Sequence, residues 1–337
     1  MNTITKNPPH NKDRAGSPPL LAVNTMTLYP PKKIMTEKVD QSKQHNHLTK
    51  HLNRRIRKDK LFTGLVIGFS FLSAVPLLMI IYQLIINGYK QISLDFLFKV
   101  APDTLEAMMA KASGEIIPGG IANGITGTLM IVGMASLLAI PLGILAGIYL
   151  SEDPKGKLSS TVRFVVDMLQ GVPSIVLGII GYVWIVKPVT NGFSALAGSV
   201  ALAIMMLPSI VRSTEETLKM IPPTLKEAAL SLGVPYHKTL LKVIIPTGIS
   251  GILTGIILGI SRIAGETAPL MLTALGSTIV HGDITQPTSA VPLLVWEFYN
   301  DPNLVPLIWS ASLFLLALIF ILNQLAKLIT KKWKVQF

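Results

Sequence analysis

Between Val243 and Val280 the chain carries only two charged residues, Arg262 and Glu266, in the stretch GISRIAGETAPL. A guanidinium binds phosphate-like oxyanions bidentately, and a carboxylate four residues on can neutralise or gate it. An arginine at the centre of a membrane helix costs about 2.5–3.5 kcal/mol to insert, so it faces a partner or a wet cavity. Gly251, Gly255 and Gly259 repeat every four residues, and at 3.6 residues per turn Arg262 and Glu266 fall with them inside a stripe about 80° wide. That stripe is a close-packing face, which predicts that the charges point away from lipid. Arginine before glutamate is the poorer order for a helical pair, so helix stability alone does not account for it. Two readings stand side by side: a salt bridge that ties two spans, and a path for an anionic substrate. Gly265 and Pro269 allow the helix to break beside the pair, which would also explain an uncharged run too long for one straight span.

The elements that must position this pair are membrane helices. The chain has 337 residues, 50% hydrophobic and only 14% charged, with a mean hydropathy of +0.54. Windows of about 20 residues without charge can cross a bilayer. Six are expected, at 61–86, 121–150, 168–186, 194–211, 246–270 and 305–326. The fold class is therefore all-α and polytopic. The net charge of +12 follows topology rather than nucleic-acid binding. Threading the spans from a cytoplasmic N-terminus puts 25 of the 30 Lys and Arg on the cytoplasmic side, as the positive-inside rule expects. Both termini are then cytoplasmic.

Cysteine is absent, which excludes disulfides and thiolate chemistry in this chain. His45 and His47 form a weak metal pattern inside a polar tail. Residues 1–60 are basic, contain proline and cannot bury enough apolar surface to fold alone, so a disordered cytoplasmic tail is expected there. Met35 is an alternative start. Residues 61–337 form the membrane domain. The segment 87–120 is expected to form short external helices and a loop. Pro173 and Pro208 interrupt the third and fourth spans and leave carbonyls for neighbours or water to satisfy. Arg163 and Asp167, four apart, read as a boundary anchor.

The loop 212–245 carries a more specific signal. Pro222 and Pro223 precede a short helix with Thr224 as expected N-cap and Gly233 as its stop. A second short helix from Tyr236 leads to Pro246 and the fifth span. Glu227-Ala228-Ala229, three residues, Gly233, nine residues and Val243-Ile244-Ile245-Pro246 resemble the EAA loop of ABC importer permeases. In that family the short helix docks on an ATP-binding subunit. A Walker A pattern is absent from this chain, so any ATPase is expected on another polypeptide.

GISRIAGETAPL, with QGVPSIVLGIIGY, LPSIVRSTEE and GGIANGITGTLMIV, resembles the PstA family across roughly residues 115–330. These are membrane subunits of the phosphate-specific ABC importer, with a type I importer permease fold. The resemblance implies a sister permease (PstC-like), an ATP-binding dimer (PstB-like), a phosphate-binding protein (PstS-like) and a place in the bacterial inner membrane. It implies no cofactor and no catalysis by this chain. It favours Arg262, Glu266 and Thr267 as path residues, with Gln170 and Ser174 beside Pro173 as weaker candidates. Glu227, Ala228, Ala229 and Gly233 would contact the ATPase. Rival expectations are a permease for sulfate or molybdate, an ATP-independent channel or carrier, and a membrane-embedded enzyme. The last would need a clustered acid–base constellation, and only the Arg/Glu pair is present in the spans.

Overall fold

The structure is a computed structural model that describes residues 32–332. The chain divides into two compact units, residues 1–74 and 75–337. The helix α1, Lys32–Gly88, contains Pro76 without ending there. Residues 32–60 lie within this helix. His45 and His47 fall on side chains outside the described set. In the first unit every described side chain from Lys58 to Ser73 is exposed, and most of them are apolar. In water this would be untenable; it is what a helix bathed in lipid presents.

The second unit follows with two short helices, α2 (Leu94–Phe98) and α3 (Thr104–Ser113), as the 87–120 segment predicts. Next come α4 (Ala122–Glu152), α5 (Lys157–Gly171) and α6 (Ser174–Gly181), which runs into a wider π-helical stretch from Tyr182 to Thr190. Then come α7 (Ala195–Lys219), α8 (Pro223–Ser231) and α9 (Tyr236–Thr239). A π-helical stretch, Leu240–Ile244, joins α9 to α10 (Ile245–Ile263). The chain closes with α11 (Ala268–Met271), α12 (Val291–Tyr299) and α13 (Val305–Lys332). Among the described residues the only bridge of β type joins Leu275 and Thr288.

Among the described residues five helices are long and apolar enough to span a membrane, and a bent pair makes a sixth if its two arms form one span. That pair carries the interruption expected at Pro173 in the third span, and extends the span beyond the expected 168–186 at both ends. Its two arms, Lys157–Gly171 and Ser174–Thr190, meet at 107°. Proline lacks the N–H that would continue the helix, and Pro173 sits at the corner as the cap of α6. Pro208 behaves differently and lies buried inside an unbroken α7.

Small residues set the packing. A Cβ on Gly143 would lie 2.8 Å from Ile210, and one on Gly147 would lie 2.5 Å from Thr214, so α4 lies directly against α7. On its other side α7 receives α10, where a Cβ on Gly255 would meet Ser213 at 2.2 Å and one on Gly259 would meet Met206 at 2.9 Å. Ala135, Ala139, Leu202, Met206 and Ile210 are buried at this centre. Without a hydrophobic drive between helices in lipid, such close contact is what holds the bundle together.

Candidate functional site

The glycine face of α10 packs on α7, and α10 ends at Ile263 with Arg262 in its last turn. Gly265 and Glu266 donate backbone N–H groups to Arg262 and Ile263 at 3.3 Å each. These bonds close a tight turn, after which α11 begins with Pro269 in its first turn. The expected break beside the pair is therefore present. The stretch 246–270 is not one span; its last residues form a separate short helix.

Termination of α10 changes the geometry of the pair. Glu266 lies beyond the helix, not one turn up the same stripe. Arg262 Nε stands 3.9 Å from Glu266 Oε1, a loose contact, with the side chains 48% and 23% exposed. In the single chain Arg262 is the more open of the two charges. The glycines occupy the contact with α7, and Arg262 emerges at the edge of that face. One residue earlier, Ser261 donates to Asn323 Oδ1 on α13 at 3.1 Å. Thr267 is half-buried and its hydroxyl lies 3.5 Å from the Pro292 carbonyl.

The two broken segments come together. A Cβ on Gly178 would touch the Pro269 backbone at 2.8 Å, so α6 lies against α11 and the break at Pro173 lies on the element that packs beside the end of α10. Ser174 is half-buried at the start of α6, whereas exposed Gln170 belongs to α5 on the far side of the 107° bend. Ser174 and Gln170 thus lie on different arms of the bend.

The 212–245 loop forms the expected short helix, with its start corrected. Pro222 is the cap and Pro223 the first residue, so Thr224 lies inside the helix. Gly233 ends it with φ +77°, a left-handed conformation that glycine adopts without a Cβ penalty. Its N–H donates to Leu230 O at 2.9 Å, and that of Val234 donates to Ala229 O at 3.2 Å. No residue of α8 is buried. Glu227 and Ala228 are exposed and Ala229 half-exposed, with Met220 and Leu232 at 83% and 84% exposure beside them.

Two ionic groups were missed from sequence. Arg163 pairs with Glu215 and Arg212 pairs with Asp167, so the expected local Arg163/Asp167 anchor is replaced by two bridges between α5 and α7. Glu152 at the end of α4, Lys226 on α8 and Tyr236 at the start of α9 meet as a second group. The i+3 and i+4 spacings of Arg212 and Lys219 about Glu215 were legible. The partners from other helices were not.

Residues 139–335 match the family described as binding-protein-dependent transport system inner membrane component. The chain is 37% identical over 247 residues to the phosphate transport system permease protein PstA of Yersinia pestis, covering 71% of this chain and 83% of that one. It is 34% identical to the PstA of Pasteurella multocida, covering 82% and 96% of the two chains. It is 33% identical to a probable PstA of Methanocaldococcus jannaschii, covering 79% and 92%. In fold it is similar to a chain of the inward-facing MetNI methionine ABC transporter, with a TM-score of 0.54 and 20% identity over 62% of this chain and 94% of that one. The architecture is therefore that of a type I ABC importer permease, a transport component rather than an enzyme. The chain belongs to the PstA family of transport system permeases, multi-pass membrane subunits of ABC importers.

Proposed function

We propose that this chain is a permease subunit of an ATP-driven importer that moves inorganic phosphate across the bacterial inner membrane by alternating access. The observation that carries the reading is Arg262 at the unwound end of α10. Its guanidinium is half open in the single chain and loosely held by Glu266 at 3.9 Å. Helices that break near the middle of a membrane are where transporters build substrate sites. A guanidinium only lightly neutralised by its own chain can exchange that carboxylate for a phosphate oxygen. The names of the relatives support the choice of phosphate.

In this reading Arg262, Glu266 and Thr267 line the path, with Ser174 approaching from α6 and Gln170 further off. The exposed side of Arg262 faces a PstC-like sister permease. Glu227, Ala228, Ala229 and Gly233 meet a PstB-like ATP-binding dimer, for which the uncovered surface of α8 is suited. A PstS-like binding protein delivers phosphate from the other side. Residues 61–337 are the permease domain with 212–245 as its coupling loop, and both termini are cytoplasmic. ATP binding closes the ATPase, α8 is displaced and the path opens outward; hydrolysis reverses the change. The protein supplies different contacts to the anion in two states and no covalent step.

The test is uptake into proteoliposomes that hold this chain with its genomic partners, with radiolabelled phosphate compared with sulfate. ATP-dependent phosphate uptake that is lost in an assembled Arg262→Gln complex supports the path. Uptake that survives the substitution makes Arg262 a structural tie. A preference for sulfate overturns the substrate, and uptake without ATP overturns the importer.

A further inference from the structure

We infer that Glu152, Lys226 and Tyr236 form a latch that makes α8 a rigid extension of α4, so that displacement of the coupling helix enters the membrane bundle through α4. This rests on the importer reading above. A helix of nine residues with no buried side chain would pivot about its chain connections if nothing else held it. Lys226 supplies the hold. It precedes Glu227 by one residue, a rotation of about 100° around the helix, so it turns back toward the bundle while Glu227 stays exposed.

The Lys226 ammonium pairs with Oε2 of Glu152, the last residue of α4, and the Tyr236 hydroxyl at the start of α9 donates to the same oxygen. Lys226 Nζ also lies 4.8 Å from the centre of the Tyr236 ring and 3.4 Å from its hydroxyl. Three elements thus converge on one carboxylate oxygen. Burial opposes the charge on Lys226, but Glu152 and Tyr236 outweigh it and hold the ammonium above the usual lysine range. The side chains are 33% and 21% exposed, and partly exposed pairs add little to stability. Their placement at the root of α8 fits a positioning role better.

From Glu152 the connection continues through close contacts. α4 meets α7 at Gly143 and Gly147, and α7 meets α10 at Gly255 and Gly259. These contacts leave no slack for one helix to slide without moving the next, and α10 ends at Arg262.

The experiment measures phosphate moved per ATP hydrolysed by the assembled transporter in proteoliposomes. Glu152→Gln and Lys226→Met are expected to lower this ratio about tenfold, within the usual range of coupling between sites. Exchanging the two charges, Glu152→Lys with Lys226→Glu, is expected to recover most of it. A normal ratio in an assembled Glu152→Gln transporter overturns the latch, as does a charge exchange that recovers nothing. Because this chain has no cysteine, Glu152→Cys with Lys226→Cys can be joined by a short, reducible bis-thiosulfonate linker, which also decides the matter if Glu152→Gln does not assemble. A latch closed throughout the cycle predicts that linked transporter still imports. Import blocked by the linker and restored by reductant shows that α8 must move relative to α4, and overturns it. Wild-type transporter with no ATP-dependent phosphate uptake fails the importer reading instead, before any variant is compared.

Discussion

Arg163 on α5 donates through Nε to Oε1 of Glu215 on α7 at 2.6 Å, and that carboxylate is 1% exposed. Lys219 reaches the same oxygen at 2.6 Å and Arg212 reaches Oε2 at 3.3 Å. Arg163 also donates to the carbonyls of Leu150 at 2.9 Å and Pro154 at 2.7 Å, satisfying backbone acceptors at the end of α4. One arginine in the middle of α5 therefore joins the ends of α4 and α7.

Removing the buried acceptor leaves cations facing each other in place of an anion. Glu215→Gln is expected to destabilise the folded chain by about 1.5–3 kcal/mol, the range for hydrogen bonds to a charged group, because the cations left behind are partly exposed. Arg163→Lys keeps the charge but loses the planar fork and should fall between the two. Thermal unfolding in detergent measures both, and a wild-type midpoint for Glu215→Gln would sink the idea.

The α10–α7 contact depends on the absence of a side chain. Gly255→Ala places a methyl 2.2 Å from the Ser213 Cβ, and overpacking of this kind costs about 1–3 kcal/mol. Gly133→Ala is the control, because nothing lies within 4 Å of a Cβ there. A lowered midpoint is expected for the first and an unchanged one for the second. Ser213→Gly should restore part of the Gly255→Ala loss.

At Gly233 the constraint is the backbone. Its φ is +77° with open space around a Cβ, so Gly233→Ala is penalised only for conformation, by about 1–2 kcal/mol. Asparagine tolerates the left-handed region better. ATP-driven uptake is expected to fall in Gly233→Ala and to fall less in Gly233→Asn, with both chains inserted normally. Equal loss in the two would point to the glycine surface rather than its backbone.

Glu297 on α12 provides a pH test. Its carboxylate sits against Gly276, where a Cβ would lie 2.0 Å from Oε1, and burial pushes its pKa from 4.5 to about 7. The folded state then holds a proton that the unfolded chain releases between those values. Stability should decline as pH rises through that window and level off above it. Glu297→Gln is expected to flatten the profile and to be the more stable protein above pH 7. Thermal midpoints across the window decide; parallel profiles would mean that another group carries the dependence.

Much of this was legible before any coordinates. The helical spans, the break after Arg262 and the stop at Gly233 each follow from short-range chemistry: apolar length, proline without a donor, glycine with positive φ. The α8 start was misplaced by two residues because Pro222 and Pro223 compete to begin the helix, and the 107° angle of the expected break at Pro173 was not legible because proline announces a break but not its direction. Arg262 and Glu266 were found by their isolation in an uncharged run. That they would pair was legible too, but not how loosely, at 3.9 Å, because i,i+4 spacing sets a close pair only while the helix lasts.

The order of charges, glycines and prolines along the chain determined by itself that this is a polytopic helical membrane protein with a short helix between its fourth and fifth spans, since transfer of helices into lipid is decided segment by segment. Only the tertiary structure decided which charges meet. Arg163 chose Glu215 over Asp167, Lys226 and Tyr236 converged on Glu152, and Arg262 was left half open. Those choices depend on how closely small residues let α4, α7 and α10 approach, and an ion pair between helices forms only where that packing brings its two ends within reach.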